Sequence, residues 1–126
     1  MWIQSVVEQM DALVSLPADW DSYGARPPDP RLMLAAILIL SRSMSDETPA
    51  PSVVPTSRGG VQLEWHQRGW DIEVEVSTPH RYALSVYDRY LRTDTEWEGD
   101  IAEGGGPLRQ ALQDLTMTLA LASAGA

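Results

Sequence analysis

Residues 61–76 have the sequence VQLEWHQRGWDIEVEV, and this stretch decides the fold. Apolar and polar side chains alternate through it on both sides of a short turn at Gln67-Arg68-Gly69. A period of two is typical of strands with one face in a core and the other in water, so the stretch predicts a β-hairpin. The side chains expected on the dry face are Val61, Leu63, Trp65, Trp70, Ile72, Val74 and Val76.

Three further segments extend the predicted sheet. Tyr82 to Tyr87 predicts a third strand, and Thr93 to Glu98 predicts a fourth. Val53-Val54, before the hairpin, is a candidate edge strand. Pro55 would cut its pairing short, because proline has no N–H to donate to a neighbouring strand.

Helices are predicted before and after the strands. Residues 3–14 carry apolar side chains at the i, i+3, i+4, i+7 spacing of an amphipathic helix, which Pro17 ends. After the glycine-rich break at residues 103–106, Pro107 opens a last helix with an apolar stripe from Leu108 to Ala122.

The second helix is the most apolar segment of the chain. Asp29 and Pro30 supply an N-cap and a proline at the first helical position, and the helix should run to about Met44. Because residues 32–40 are apolar nearly all round, we expect this helix to be the most buried element. The side chains expected to be nearly fully buried are Leu34, Ile37, Leu38 and Leu40.

Together these elements predict an α+β fold. It is an antiparallel β-meander of four to five strands, with two N-terminal helices and one C-terminal helix packed on one face. The length of 126 residues is typical of one domain, so we expect a single domain over residues 1–126.

Composition narrows the classes of function. The chain has no cysteine, which removes disulfides, thiolate metal sites and cysteine nucleophiles. The net charge is −9 and all nine basic residues are arginine, so the surface repels phosphate backbones and anionic lipid. We therefore expect no direct contact with nucleic acid or membrane, and a basic protein as the partner.

The chain also lacks the signals of export. Its first residues, MWIQ, have neither the basic segment nor the small-residue cleavage site of a signal peptide. The longest apolar run, nine residues from Leu32 to Leu40, is shorter than the roughly 20 residues that span a bilayer. These features favour a cytoplasmic protein.

No catalytic, cofactor or metal site is predicted. The two histidines, His66 and His80, do not stand at a metal-ligand spacing from each other. No serine lies in a G-x-S-x-G motif, and residues 103–106 have no lysine beside them to hold a phosphate. An enzyme that uses carboxylates alone is the remaining catalytic hypothesis, and an open sheet face gives it no water-excluded cleft.

The acidic residues form the first group that points to a partner. The glutamates expected on the wet face of the sheet are Glu64, Glu73, Glu75, Glu96 and Glu98. With Asp71 they place like charges on neighbouring strands, an arrangement that destabilises a sheet. One interpretation is an acidic docking surface for an arginine- or lysine-rich partner. The other is a solvated face on which glutamate serves only as a polar residue.

Residues 20–28 form a second candidate binding segment. Trp20 and Tyr23 give this loop a large rigid area, and both residue types are frequent in interface hot spots. The alternative is that Trp20 and Tyr23 fold back as a lid over the helical core, with Gly24 permitting the turn.

Two short motifs resemble those of a group of small uncharacterised bacterial proteins. Residues 20–25 read WDSYGA, ahead of Pro27-Pro28, and residues 59–65 read GGVQLEW. The group carries a W-D-[SG]-Y-G-A segment before a helix and a G-G-x-x-L-E-W strand. The similarity covers residues 15 to 76, about half of the chain. It implies an accessory gene that works beside a partner gene, and it assigns no activity and no site residues.

The favoured function is an acidic protein–protein interaction module. In this hypothesis a small bacterial accessory, inhibitor or antitoxin/immunity-like protein binds its partner through the acidic sheet face. The alternative is a small-ligand or carbohydrate-binding domain built on Trp20 and Tyr23, since aromatic rings stack on sugars. A homodimer is a further option, with the apolar residues 117–122 as its candidate contact.

Overall fold

The computed structural model describes residues 2–124, which form three α-helices and one five-stranded sheet. The elements are α1 (Trp2–Leu13), α2 (Pro30–Ser43), β1 (Ser52–Pro55), β2 (Val61–Gln67), β3 (Trp70–Val76), β4 (Arg81–Asp88), β5 (Thr93–Asp100), a 3-10 turn (Ile101–Glu103) and α3 (Gly106–Ala124). Within the described residues, no helix is both long enough and apolar enough to cross a bilayer.

The strands follow one another in the sheet in chain order, and every neighbouring pair is antiparallel. The predicted meander is confirmed, and the segment Val53-Val54 lies in the edge strand β1, which ends at Pro55. The β2–β3 connection is only two residues long. Arg68 and Gly69 both have positive φ, 49° and 84°, which is the backbone that a type I′ hairpin turn requires.

The dry face predicted for the hairpin forms one wall of the core. Its six central side chains are 0–1% exposed: Val61, Leu63, Trp65, Ile72, Val74 and Val76. The indole nitrogen of Trp65 is satisfied there, because Nε1 donates to the carbonyl of Pro49 at 2.8 Å. Helix α2 lies on β2 and β3 and packs against α3, while α1 lies against β1. The helices therefore cover one face of the sheet, as predicted.

The prediction of a nearly fully buried α2 is wrong on one side of the helix. Leu40 is buried and Ile37 is half-buried, but Leu34 is 69% exposed and Leu38 is 43% exposed. A helix on an open sheet turns one face inward, and residues four apart share a face, so Leu34 and Leu38 lie together on the outer one. Because every residue of this run is apolar, the sequence contains no helical period of polar residues that would identify the exposed face.

The outer side of α2 borders an apolar groove between α1 and α2. This α1–α2 groove encloses about 280 Å³. It is lined by Val7, Met10, Asp11, Val14, Pro30, Met33, Leu34 and Ile37. The groove lies between them because α1 packs on β1 at the edge of the sheet, whereas α2 packs on β2 and β3.

Strand β5 lies beyond the cover of the helices. Thr95 and Trp97 pair with Val86 and Leu84 and therefore share the core side of the sheet, yet both are exposed. None of the eight residues of β5 is fully buried. Both faces of this strand consequently meet water.

The corrected orientation of α2 predicts opposite outcomes for two neighbouring residues. Ile39→Ala should lower the free energy of unfolding by about 2–5 kcal/mol, because Ile39 is completely buried and its loss leaves a cavity. Leu38→Ala should lower it by less than about 1 kcal/mol, because much of that side chain already contacts water. Urea denaturation of both variants measures the difference. Equal losses would contradict the exposed position of Leu38.

Candidate functional site

The strand register gathers the five predicted glutamates on the face opposite the helices. In one row across the sheet, Glu64 pairs with Glu73, and Glu73 pairs in turn with Ser85, which pairs with Glu96. In the next row, Glu75 and Glu98 flank a residue of β4. This polar face follows from the alternation of the strands, since every residue between two core residues must point the other way.

A trench runs along β4 on this face. The two β4 residues at its centre, Ala83 and Ser85, are small, whereas longer glutamate side chains stand on β3 and β5 at either side. The resulting depression encloses about 390 Å³. We call it the acidic trench, and the carboxylates that line it are Glu73, Glu75, Glu96 and Glu98.

The glutamates of this face lack arginine counterions. Among residues 2–124, no ion pair joins an arginine to Glu64, Glu73, Glu75, Glu96 or Glu98. Arg81 pairs instead with Asp100 at 2.9 Å, and Arg89 approaches Asp71 at 3.6 Å. Directly opposed like charges destabilise a strand pair, so Glu64 and Glu73 are held together against their own repulsion.

His66 is the only histidine of this face, and it lies among three carboxylates. Its Nδ1 is 2.7 Å from Oδ1 of Asp71, and its Nε2 is 3.4 Å from Oε2 of Glu64 and 3.9 Å from Oε1 of Glu73. The hydrogen bond to Asp71 is the main reason why the pKa of His66 is raised from its usual 6.5, with a further contribution from Glu64. We call His66, Glu64, Asp71 and Glu73 the His66 cluster.

Sequence reasoning found the glutamates and missed the His66 cluster. A search for a second histidine at ligand spacing passes over a site in which carboxylates are the other ligands. The available signal was Glu64 and His66 two residues apart on one strand, which places both side chains on the same face. The third member, Glu73, comes from β3, and only the register fixes it opposite Glu64.

The two aromatic candidates lie in the loop between α1 and α2, and neither lines the acidic trench. Trp20 is half-buried, and its Nε1 donates to the carbonyl of Arg26 at 2.9 Å. Tyr23 is 92% exposed, so it does not fold back over the helical core. Of the two, Tyr23 is the side chain that a ligand or a partner can reach.

The aspartates of this loop accept hydrogen bonds from its own backbone. Oδ1 of Asp21 accepts from the N–H groups of Tyr23 and Ala25, at 2.8 and 3.0 Å. Oδ1 of Asp19 accepts from the N–H of Gly24 at 2.6 Å. These bonds stabilise a backbone that takes positive φ at Asp19, where φ is 62°, and at Gly24, where φ is 82°.

The segments that carry the two motifs lie side by side, joined by residues next to the first motif. The N–H of Arg26 donates to the carbonyl of Ser57 at 2.9 Å, and the N–H of Asp29 donates to that of Gly59 at 2.8 Å. A Cβ on Gly59 would approach the Pro27 carbonyl at 3.2 Å, and one on Gly60 would stand 2.5 Å from that of Val76. Gly59 thus packs against the residues that follow the aromatic loop, whereas Gly60 packs against the end of β3.

Comparison with protein-family models, with curated proteins and with solved structures returned no match to this chain.

The His66 cluster predicts a pH dependence in metal-free buffer. Its carboxylates favour the imidazolium in the folded state, so protonated His66 stabilises the fold below its unfolded pKa of about 6.5. That contribution is lost as the pH rises through the higher folded pKa. Unfolding of the wild type and His66→Gln by urea, in EDTA at several pH values, should show the advantage of the wild type at about pH 5.5 and its loss by about pH 8.5.

Asp71→Asn is the matched variant for this measurement. It removes the charge that accepts from Nδ1, so the pKa of His66 should fall in an NMR titration. An unchanged pKa in that variant would contradict the role given to Asp71.

Proposed function

We propose that this protein is an acidic protein–protein interaction module, and that its acidic trench binds a basic segment of a partner protein. In this proposal it is a small bacterial accessory, inhibitor or antitoxin/immunity-like protein of the cytoplasm. The observation that carries the proposal is a trench of about 390 Å³ whose four lining carboxylates have no arginine partner within the described residues.

The shape of the trench fits an arginine-rich segment. Arginine offers five N–H donors in a planar fork that matches carboxylates, and its apolar stem can lie along small residues such as Ala83 and Ser85. Because glutamates stand on both walls, one guanidinium between them can meet a carboxylate on each side. A partner of this kind would relieve the repulsion that the free protein tolerates.

The sign and size of the charge support a protein rather than a nucleic acid as the partner. A net charge of −9 repels phosphate backbones and attracts basic proteins from a distance. Such steering raises the rate of association more than it raises the final affinity.

One observation favours a second candidate function. Tyr23 stands almost fully in solvent on a loop whose backbone N–H groups donate to its own aspartates. A rigid exposed aromatic ring suits stacking on a small ligand or a sugar, which is the carbohydrate-binding alternative. Of the two aromatic rings in this loop, Tyr23 has the free one, because Trp20 is half-buried and its Nε1 donates to the carbonyl of Arg26.

Charge reversal in the trench is the direct test of docking. The double variant Glu73→Arg/Glu75→Arg should lose about tenfold or more in affinity, because two attractive pairs of about 0.2–1 kcal/mol each become repulsive. The partner is first captured from the host with tagged wild-type protein and identified by mass spectrometry. Its affinity for each variant is then measured by calorimetry.

Glu8→Arg/Glu47→Arg is the matched control. It changes the net charge by the same amount at two exposed positions outside the trench, so it should keep most of the affinity. If the trench reversal leaves binding intact and Tyr23→Ala removes it, the loop is the docking site and the trench proposal is wrong.

Salt should act mainly on the rate of association. Raising the salt from about 0.05 to about 0.5 M shortens the range of charge attraction to a few ångströms, so the association rate should fall steeply. Surface plasmon resonance separates this rate from the dissociation rate, which should change much less. An association rate that ignores salt would contradict charge-guided docking.

A further inference from the structure

His66, Glu64 and Glu73 direct three potential ligand atoms to one point above the β2–β3 hairpin. One ligand atom from each side chain can be chosen so that all three lie within 4.8 Å of one another. The set is one imidazole nitrogen with two carboxylate oxygens. We propose that these three side chains form a binding site for a divalent transition-metal cation of the zinc class.

The hydrogen bond to Asp71 explains why this point calls for a cation. An ionised Asp71 can only accept, so in neutral His66 the proton is on Nδ1, 2.7 Å away. Nε2 then carries a lone pair, and this lone pair faces Oε2 of Glu64 and Oε1 of Glu73. Three electron-rich atoms meet without a donor between them. A proton on Nε2 or a metal ion resolves the repulsion.

The distances suit a metal ion after a small adjustment. Zinc bonds of ~2.0–2.2 Å at tetrahedral angles place neighbouring ligand atoms roughly 3.4 Å apart. Nε2 of His66 and Oε2 of Glu64 are already 3.4 Å apart. Glu73 is at 3.9 Å, and its side chain is 42% exposed, so rotation in solvent can bring its oxygen closer.

Two residues outside the ligand set orient the ligands. Asp71 fixes the His66 ring through Nδ1, which is the carboxylate–histidine arrangement typical of metal sites. Gln62 donates from Nε2 to Oε1 of Glu64 at 2.8 Å, which leaves Oε2 directed at His66. Two of the three ligands are therefore already hydrogen-bonded in orientations that bring a ligand atom toward the same point.

The ligand types favour a transition metal over magnesium or calcium. Imidazole nitrogen suits zinc, iron, nickel and copper, whereas Mg²⁺ and Ca²⁺ prefer oxygen ligands. Three protein ligands at an exposed site leave at least one position open to water or to a group of another molecule.

Calorimetric titration of untagged, chelator-stripped protein with zinc chloride at about pH 7.5 tests the site. One Zn²⁺ per chain should bind saturably, and His66→Ala and Glu73→Gln should each weaken binding by about tenfold or more. Glu75→Gln makes the same charge change on the same strand outside the ligand set and should stay within about twofold, as should His80→Ala. Circular dichroism checks that each variant is folded.

Cobalt(II) gives an independent readout. Its visible absorption should reveal nitrogen and oxygen ligands in the wild type and in Glu75→Gln, and lose that signature in His66→Ala. Saturable zinc binding that survives His66→Ala would overturn the proposal, since other residues would then hold the ion. Absence of one-to-one binding up to about 1 mM would also overturn it, since a proton alone would then compensate the cluster. No partner protein enters this test, so its outcome is independent of docking in the trench.

Discussion

The register of the β2–β3 hairpin is the constraint on which the rest of the structure depends. In a strand, a slip by one residue exchanges the two faces. The register that pairs Leu63 with Val74 in the core therefore also pairs Glu64 with Glu73 on the other face. Burial decides it. Each fully buried aliphatic or aromatic side chain contributes about 1.5–3 kcal/mol, whereas each opposed pair of like charges costs about 0.2–1 kcal/mol. The turn at Arg68-Gly69 then holds this register in place.

The core therefore fixes where this polar face lies, but it does not require the residues on it to be acidic. The register requires polar residues opposite the buried ones, and serine, threonine or glutamine would satisfy it without repulsion. The protein carries glutamate at five of these positions, and within the described residues its ion-paired arginines contact aspartates instead, namely Asp29, Asp71 and Asp100. That choice is what the docking proposal explains.

Regular alternation made most of the fold predictable. The hairpin, the meander and the covered face follow from the period of two, and the helix starts follow from Asp29-Pro30 and Pro107. The exposure of Leu34 and Leu38 was not predictable in the same way, because an unbroken apolar run contains no mark of the side that faces out. The position of α1, which lies against β1 and leaves the α1–α2 groove open, depends on tertiary packing and could not be predicted from the apolar stripe of α1 alone.

The candidate site divides along the same line. The shared face of the glutamates could be derived from spacing within each strand, whereas the trench depends on small residues on β4 that stand between larger ones on two other strands. The His66 cluster likewise needs a residue from each of two strands at a specific register. A site that combines residues of different strands cannot be predicted from each segment of the sequence separately.

Because no helix covers strand β5, the tendency of the protein to self-associate along this strand depends on pH. The other edge of the sheet is guarded, because the side chain of Gln9 accepts from the N–H of Val53 at 2.8 Å and donates to the Pro51 carbonyl at 2.9 Å. The outer edge of β5 has only charge to keep a second copy from adding its own strand there, supplied by Asp94, Glu96, Glu98 and Asp100. The isoelectric point that follows from the composition is about 4.4. Near that pH the molecule carries no net charge, so repulsion between whole copies no longer opposes their pairing along the open edge of β5.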